Sequence, residues 1–320
     1  MTNASPAPAP AIVCELIEKS FGPVRAVQPL SLTVPQGSVY GILGPNGSGK
    51  TTSIRMMVGI LFPDAGQVQV LGQPAGHKAK DSIGYLPEER GLYQKMKIRE
   101  QLEFFAQLQG LRAAQARARV KHWLERVGLA EWAEKKVNDL SKGMQQKIQF
   151  IVAVISDPPI LILDEFSSGL DPVNANLLNE ILLEERAKGK TILLSTHRME
   201  EAERLCDHVC LINKGRKVLD GRLTDIRGRA GKSTVRVDYT GDAAVLRAAP
   251  GVTRSEYFGN YAELKLAPEA QSPENVSLLL RFLAPRLAIT RFEQLEPSLN
   301  QIFLDTVAAT TPAQSLAVSN

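Results

Sequence analysis

The sequence predicts an α/β protein with a parallel-sheet core, followed by a small α+β domain. Three observations carry this reading. Residues 44–51 read GPNGSGKT, between a strand-like run (Val39–Leu43) and a helical pattern with Ile54, Met57, Val58 and Leu61 on one face. Two further apolar runs, 160–163 and 192–194, are unbroken, as strands covered on both faces require. Between them a helical stretch near 173–187 stops at Gly189, which gives strand–helix–strand construction and hence a parallel sheet. Ligands of such sheets lie at the carboxyl ends of the strands.

Taken in order, residues 12–70 show short β patterns around the GPNGSGKT loop, and residues 92–156 are rich in helical pattern. Within the latter, Arg112, Arg119 and Arg126 recur every seven residues opposite Val120, Trp123, Leu124 and Val127, so the basic face is expected to be solvated. Strands and helices alternate from 159 to 219. The pattern changes after Arg227-Gly228-Arg229-Ala230-Gly231: a strand over 233–239, a hairpin turn at 257–261, a helix over 273–282, a strand over 288–292 and a last helix over 298–307. The expected domains are therefore 11–228, with a helical part at about 92–158, and 229–308. Disordered tails are expected at 1–10 and 309–320.

Composition sets outer bounds. A chain of 320 residues, 44% hydrophobic and 22% charged, is of the soluble globular class. No apolar stretch approaches the roughly 20 residues that span a bilayer, and residues 1–10 lack the basic start and apolar core of a signal peptide. A net charge of +4 does not call for nucleic acid. Cys14, Cys206 and Cys210 are expected to be reduced, and Cys206-x-His208-x-Cys210 has no fourth ligand at metal-site spacing.

The loop Gly44-Pro45-Asn46-Gly47-Ser48-Gly49-Lys50-Thr51, with Thr52 behind it, fits the phosphate-binding pattern G-x-x-x-x-G-K-[ST]. Backbone N–H groups of residues 47–50 at a helix N-terminus suit polyphosphate oxygens. Lys50 is expected to reach the β- and γ-phosphates, and Thr51 to ligate Mg²⁺. No guanine-reading N-K-x-D stands where a GTPase needs one, so ATP is the expected nucleotide.

Leu140-Ser141-Lys142-Gly143-Met144-Gln145 narrows the class. Ser141 is a good N-cap, and a serine hydroxyl with a nearby glycine at a helix start makes an anion site. Here the chain resembles the ATP-binding subunits of ABC transporters, whose signature is usually LSGGQ. Lys142 and Met144 depart from that signature, while Ser141-x-Gly143 keeps its core. The variant is similar to an exporter subgroup whose membrane subunits are separate chains.

The resemblance covers about 12–308 and implies a P-loop cassette with an N-terminal antiparallel β subdomain, a helical lobe and an accessory domain. It implies that Asp164 helps hold Mg²⁺, that Glu165 is the general base and that His197 bonds the γ-phosphate. Phe166 stands where the family has proline. It further implies that Ser141 and Gly143 of one subunit close on ATP held by another, with Asp171 of the D-loop at their interface, and that Phe21 stacks on adenine unless it belongs to the hairpin core. Glu88, where the family has glutamine, is expected in the metal shell. The implied partners are a second ATP-binding subunit, in a homodimer or heterodimer, and integral membrane subunits, which would hold the chain at the cytoplasmic face of the membrane. A non-transport ATPase of translation or DNA maintenance is the alternative, as is a nucleotide-binding regulator with little hydrolysis.

Overall fold

The computed structural model describes residues 10–76, 79–89 and 91–310. The chain divides into two compact units, one ending at Arg222 and the other beginning at Leu223. Both expected tails lie outside the described residues, except that Pro10 opens the first strand and residues 309–310 close the last helix.

The first unit starts with two antiparallel strands, β1 (Pro10–Phe21) and β2 (Val24–Pro35). Ile12, Cys14 and Ile17 on β1, and Leu30, Leu32 and Val34 on β2, are buried on one face. The sequence reads as shorter pieces because the register shifts between Cys14 and Ile17, with Leu16 left-handed at φ 48°. Next come β3 (Val39–Leu43), α1 (Lys50–Val58), β4 (Ala65–Val70), β5 (Gln73–Pro74) and β6 (Ile83–Leu86). The helical lobe contains α2 (Ile98–Leu108), α3 (Ala113–Arg126) and α4 (Lys142–Val154). The unit closes with β7 (Ile160–Asp164), α5 (Pro172–Ala187), β8 (Thr191–Thr196), α6 (Met199–Leu205), β9 (His208–Asn213) and β10 (Arg216–Arg222).

β2, β1, β4 and β5 form one antiparallel sheet. The larger sheet runs β10-β9-β3-β8-β7-β6, parallel throughout except at its β10 edge. Every residue of β3, β7 and β8 is buried, which is why the runs 39–43, 160–163 and 192–194 within them are apolar without alternation. The carboxyl ends of β3, β6, β7 and β8 consequently open on one side of the sheet.

The basic face of α3 is not simply solvated, as its spacing suggests. Arg119 pairs with Asp157 at 3.2 Å, and Arg126 pairs with Glu184, so this face is tied to the loop before β7 and to α5. Arg112 stands at the N-cap rather than inside the helix. A second tie is the buried Lys147 of α4, which donates to the Val127 carbonyl at 3.0 Å, at the end of α3. Burial pulls this ammonium below the usual lysine range. Beneath the sheet's other end, Lys190 bridges Glu185 and Asp157. Burial alone would raise the Glu185 carboxyl, but Lys188 and Lys190 outweigh it and hold it below the usual range.

The second unit is a four-stranded antiparallel sheet of order β12-β13-β11-β14. Its elements are α7 (Leu223–Ala230), β11 (Thr234–Thr240), α8 (Ala244–Arg247), β12 (Val252–Phe258), β13 (Tyr261–Leu266), α9 (Pro273–Leu283), β14 (Ala288–Leu295) and α10 (Leu299–Thr310). Val235, Val237, Leu264, Leu279 and Leu283 make its core. Arg236, from the alternate set of β11, lies over the Tyr261 ring at 3.9 Å. Cys14, Cys206 and Cys210 of the first unit are free and buried, and burial pushes the Cys14 thiol up to about 12. Among the described residues no helix is long and apolar enough to cross a membrane.

Candidate nucleotide site

The phosphate loop leaves the buried end of β3 and enters α1 at Lys50. Gly44 has φ 150°, and a Cβ there would come within 2.1 Å of the Ile212 carbonyl on β9. Gly49 has φ 106°, and its Cβ would come within 2.6 Å of the Ala26 carbonyl on β2. The loop is thus wedged between β9 and the first hairpin, where only glycine fits. Pro45, Asn46 and Gly47 are exposed, and Thr51 and Thr52 are half-buried in the first turn of α1. Ser48 is buried, and its hydroxyl has no hydrogen-bond partner in the protein.

Lys50 is buried, and its ammonium donates to the Gly44 carbonyl at 2.9 Å and the Pro45 carbonyl at 3.3 Å. It also lies 3.3 Å from Glu165 Oε1. The other oxygen of Glu165 is 2.9 Å from His197 Nδ1. Residues from the start of α1 and from the ends of β7 and β8 therefore meet in one chain of contacts, Lys50–Glu165–His197.

Glu165 adopts φ 49°, a strained backbone for a residue with a long side chain. Two acceptors of one neighbour hold it there: its N–H faces Ser195 Oγ at 3.0 Å and the Ser195 carbonyl at 3.2 Å. The Ser195 hydroxyl in turn donates to Asp164 Oδ1. Asp164 is fully buried and its Oδ2 lacks a hydrogen-bond partner. Burial pushes this carboxyl above the ordinary range; the bond from Ser195 opposes the rise, and the charges of Glu88 and Glu165 add to it. Glu88 is exposed after β6, and Thr51 donates to its Oε2 at 3.3 Å. A hydroxyl, a buried carboxylate with a vacant oxygen and a second carboxylate are the hard oxygen donors that Mg²⁺ takes, so this set fits that ion.

The other expected residues stand elsewhere. Ser141 caps α4, accepting from the Met144 N–H at 3.3 Å, and is itself exposed. Gly143 lies against the D-loop, where an added Cβ would meet Leu170 at 3.5 Å. Asp171 caps α5, accepting from the Val173 and Asn174 N–H groups at 3.0 Å each. Those bonds, with Asn174 foremost, hold its carboxyl below the usual range. Phe21 ends β1 with 52% of its surface exposed, which removes the hairpin-core alternative. Phe166 is fully buried, so the residue in the proline position is a core side chain.

Three side chains with a part in this site escaped sequence reading. Ser195 joins Asp164 to the Glu165 backbone. Gln146 on α4 donates to the Phe166 carbonyl at 3.0 Å, and Gln149 donates to the Glu89 carbonyl at 3.1 Å. The signature helix therefore grips both the loop after Glu165 and the loop bearing Glu88. The available signal was a pair of glutamines three apart on an otherwise apolar helix face, and buried amides need partners.

Residues 27–168 match the ABC transporter family, and residues 221–307 match the family described as ATP-binding protein DrrA1-3-like, C-terminal domain. The chain is 42% identical over 293 residues to the ABC transporter ATP-binding protein YhaQ of Bacillus subtilis, covering 92% of this chain and 97% of that one. It is 43% identical over 208 residues to the Nod factor export ATP-binding protein I of Burkholderia lata, covering 64% and 68%. Among solved structures, an ATP-binding subunit of an ABC transporter superposes with TM-score 0.65 at 30% identity, covering 69% of this chain and 93% of that one. These relatives are transporter subunits, so the alternative in translation or DNA maintenance falls away. The chain belongs to the ABC transporter family as an ATP-binding subunit, and it is an ATPase.

Proposed function

We propose that this ATPase drives an exporter whose membrane subunits are separate chains, and that two ATP-binding subunits close on ATP between them. The carrying observation is the Lys50–Glu165–His197 chain, at the start of α1 and the ends of β7 and β8. N–H groups of residues 47–50 and the N-terminus of α1 hold the β- and γ-phosphates, and the Lys50 ammonium leaves its loop carbonyls for them. The Glu165 carboxylate accepts the proton of the attacking water. With both ring nitrogens protonated, His197 donates Nδ1–H to Glu165 and Nε2–H, on the far side of the ring, to the γ-phosphate. Thr51, Asp164 and Glu88 would hold Mg²⁺, which when bound offsets charge on the phosphate oxygens.

Phe21 offers an exposed ring for the adenine, where stacking is worth about 1–3 kcal/mol. Ser141 and Gly143 at the start of α4 serve the ATP of the partner subunit, and Asp171 orders the loop between them. The export direction rests on the likeness to the Nod factor export protein. No nucleic acid enters this scheme, and attachment to the cytoplasmic face of the membrane comes through the membrane subunits. The second unit is an accessory domain.

Tagged Glu165→Gln protein, drawn from detergent-solubilised membranes with and without Mg-ATP, tests the scheme. The expected result is a stoichiometric integral membrane protein in the eluate. Ribosomes or nucleic acid in its place would contradict it.

A further inference from the structure

We infer that Glu88 makes nucleotide binding depend on the metal, so that the site rejects ATP unaccompanied by a divalent cation. The inference rests on the nucleotide reading above and concerns what this chain's own charges do to it.

Three carboxylates gather here, and the one in contact with Lys50 is Glu165, whose Oε1 lies 3.3 Å from the ammonium and offsets its charge. Asp164 is fully buried, with Oδ2 unpartnered. Glu88 accepts from the Thr51 hydroxyl at 3.3 Å. A polyphosphate entering alone brings more negative charge to a place already in excess of it. Backbone N–H groups and the α1 terminus favour the anion, but they serve the phosphates equally whether the cation is present or not.

A divalent cation reverses the sign of the Glu88 contribution. The Thr51 hydroxyl has one donor and two lone pairs, so donating to Glu88 leaves its acceptor side open to a cation. The Asp164 oxygen without a partner adds a second donor atom, and Glu88 a third that carries full charge. Site affinity for such ions rises with the charge count of the ligands. An amide at position 88 would supply an oxygen without that charge, and so would repel bare ATP less and attract the cation less. Residue 88 is exposed, so this exchange alters charge without disturbing the core.

The test compares ATP dissociation constants in excess EDTA and in excess Mg²⁺, by titration with a fluorescent ATP analogue, for wild type, Glu88→Gln and Glu89→Gln. The quantity read is the ratio of the two constants. Glu89→Gln removes the same charge one position along, from a side chain that is 88% exposed and 3.6 Å from Arg55. Glu88→Gln is expected to lower the ratio about tenfold, equivalent to about 1.4 kcal/mol, mainly by tightening metal-free binding. Glu89→Gln is expected to leave it within about threefold of wild type, about 0.65 kcal/mol. A Glu88→Gln ratio that stays within that margin or rises, or an equal fall in both variants, would overturn the inference. Wild-type protein that fails to bind Mg-ATP would overturn the nucleotide reading itself and this inference with it.

Discussion

Glu165→Gln is expected to lower ATP turnover by roughly 10²–10⁴-fold, the usual contribution of a general base, while ATP binding is retained. The substitution keeps the shape of the side chain and removes only its ability to take a proton. The surroundings of Glu165 are built to hold one position: Ser195 fixes its strained backbone, and Lys50 and His197 hold one carboxylate oxygen each. A glutamine can still face His197, so the site should not collapse. Phosphate release measured under saturating Mg-ATP, alongside a binding titration, separates the two effects. Turnover within about threefold of wild type would remove Glu165 from the role of base.

Lys50→Ala is expected to weaken Mg-ATP binding by roughly 10²-fold or more, since truncating a buried, hydrogen-bonded charge partner costs about 2–5 kcal/mol. In the structure the ammonium rests on the Gly44 and Pro45 carbonyls, which are weaker partners than phosphate oxygens. Glu165 loses its cation in this variant but keeps His197, and a thermal melt shows whether the fold survives. Titration with an ATP analogue reads the affinity, and Lys50→Arg restores charge on a longer side chain. Unchanged affinity in the alanine variant would place the phosphates away from Lys50.

Much of the sheet was legible because burial on both faces leaves an unmistakable trace. Val39–Leu43 and the run before Asp164 are apolar at every position, and both are strands within those limits. The phosphate loop could be read from spacing alone, because glycine is demanded by contacts at Gly44 and Gly49 that no other residue tolerates. β1 was harder, since its bulge at Leu16 breaks the alternation on which strand recognition depends.

What stayed hidden joins residues far apart in the chain. Ser195 is just a hydroxyl at a strand end until β7 and β8 pair and bring it to Asp164. Arg119 and Arg126 look like a solvated stripe until α5 and the loop before β7 supply Glu184 and Asp157. Gln146 and Gln149 are polar interruptions in an apolar helix until the carbonyls of Phe166 and Glu89 come within reach. Asp171 carries a local meaning, the N-cap of α5, whatever it does across a subunit interface.

We propose that two chains enclose ATP, with Lys50 and Thr51 of one facing Ser141 and Gly143 of the other. Sedimentation velocity of Glu165→Gln protein, with and without saturating Mg-ATP, tests it most directly. The expected result is a monomer without nucleotide and a dimer with it, because bound ATP persists when the base is missing. A species that remains monomeric at saturating Mg-ATP, with binding confirmed in the same sample, would contradict the account.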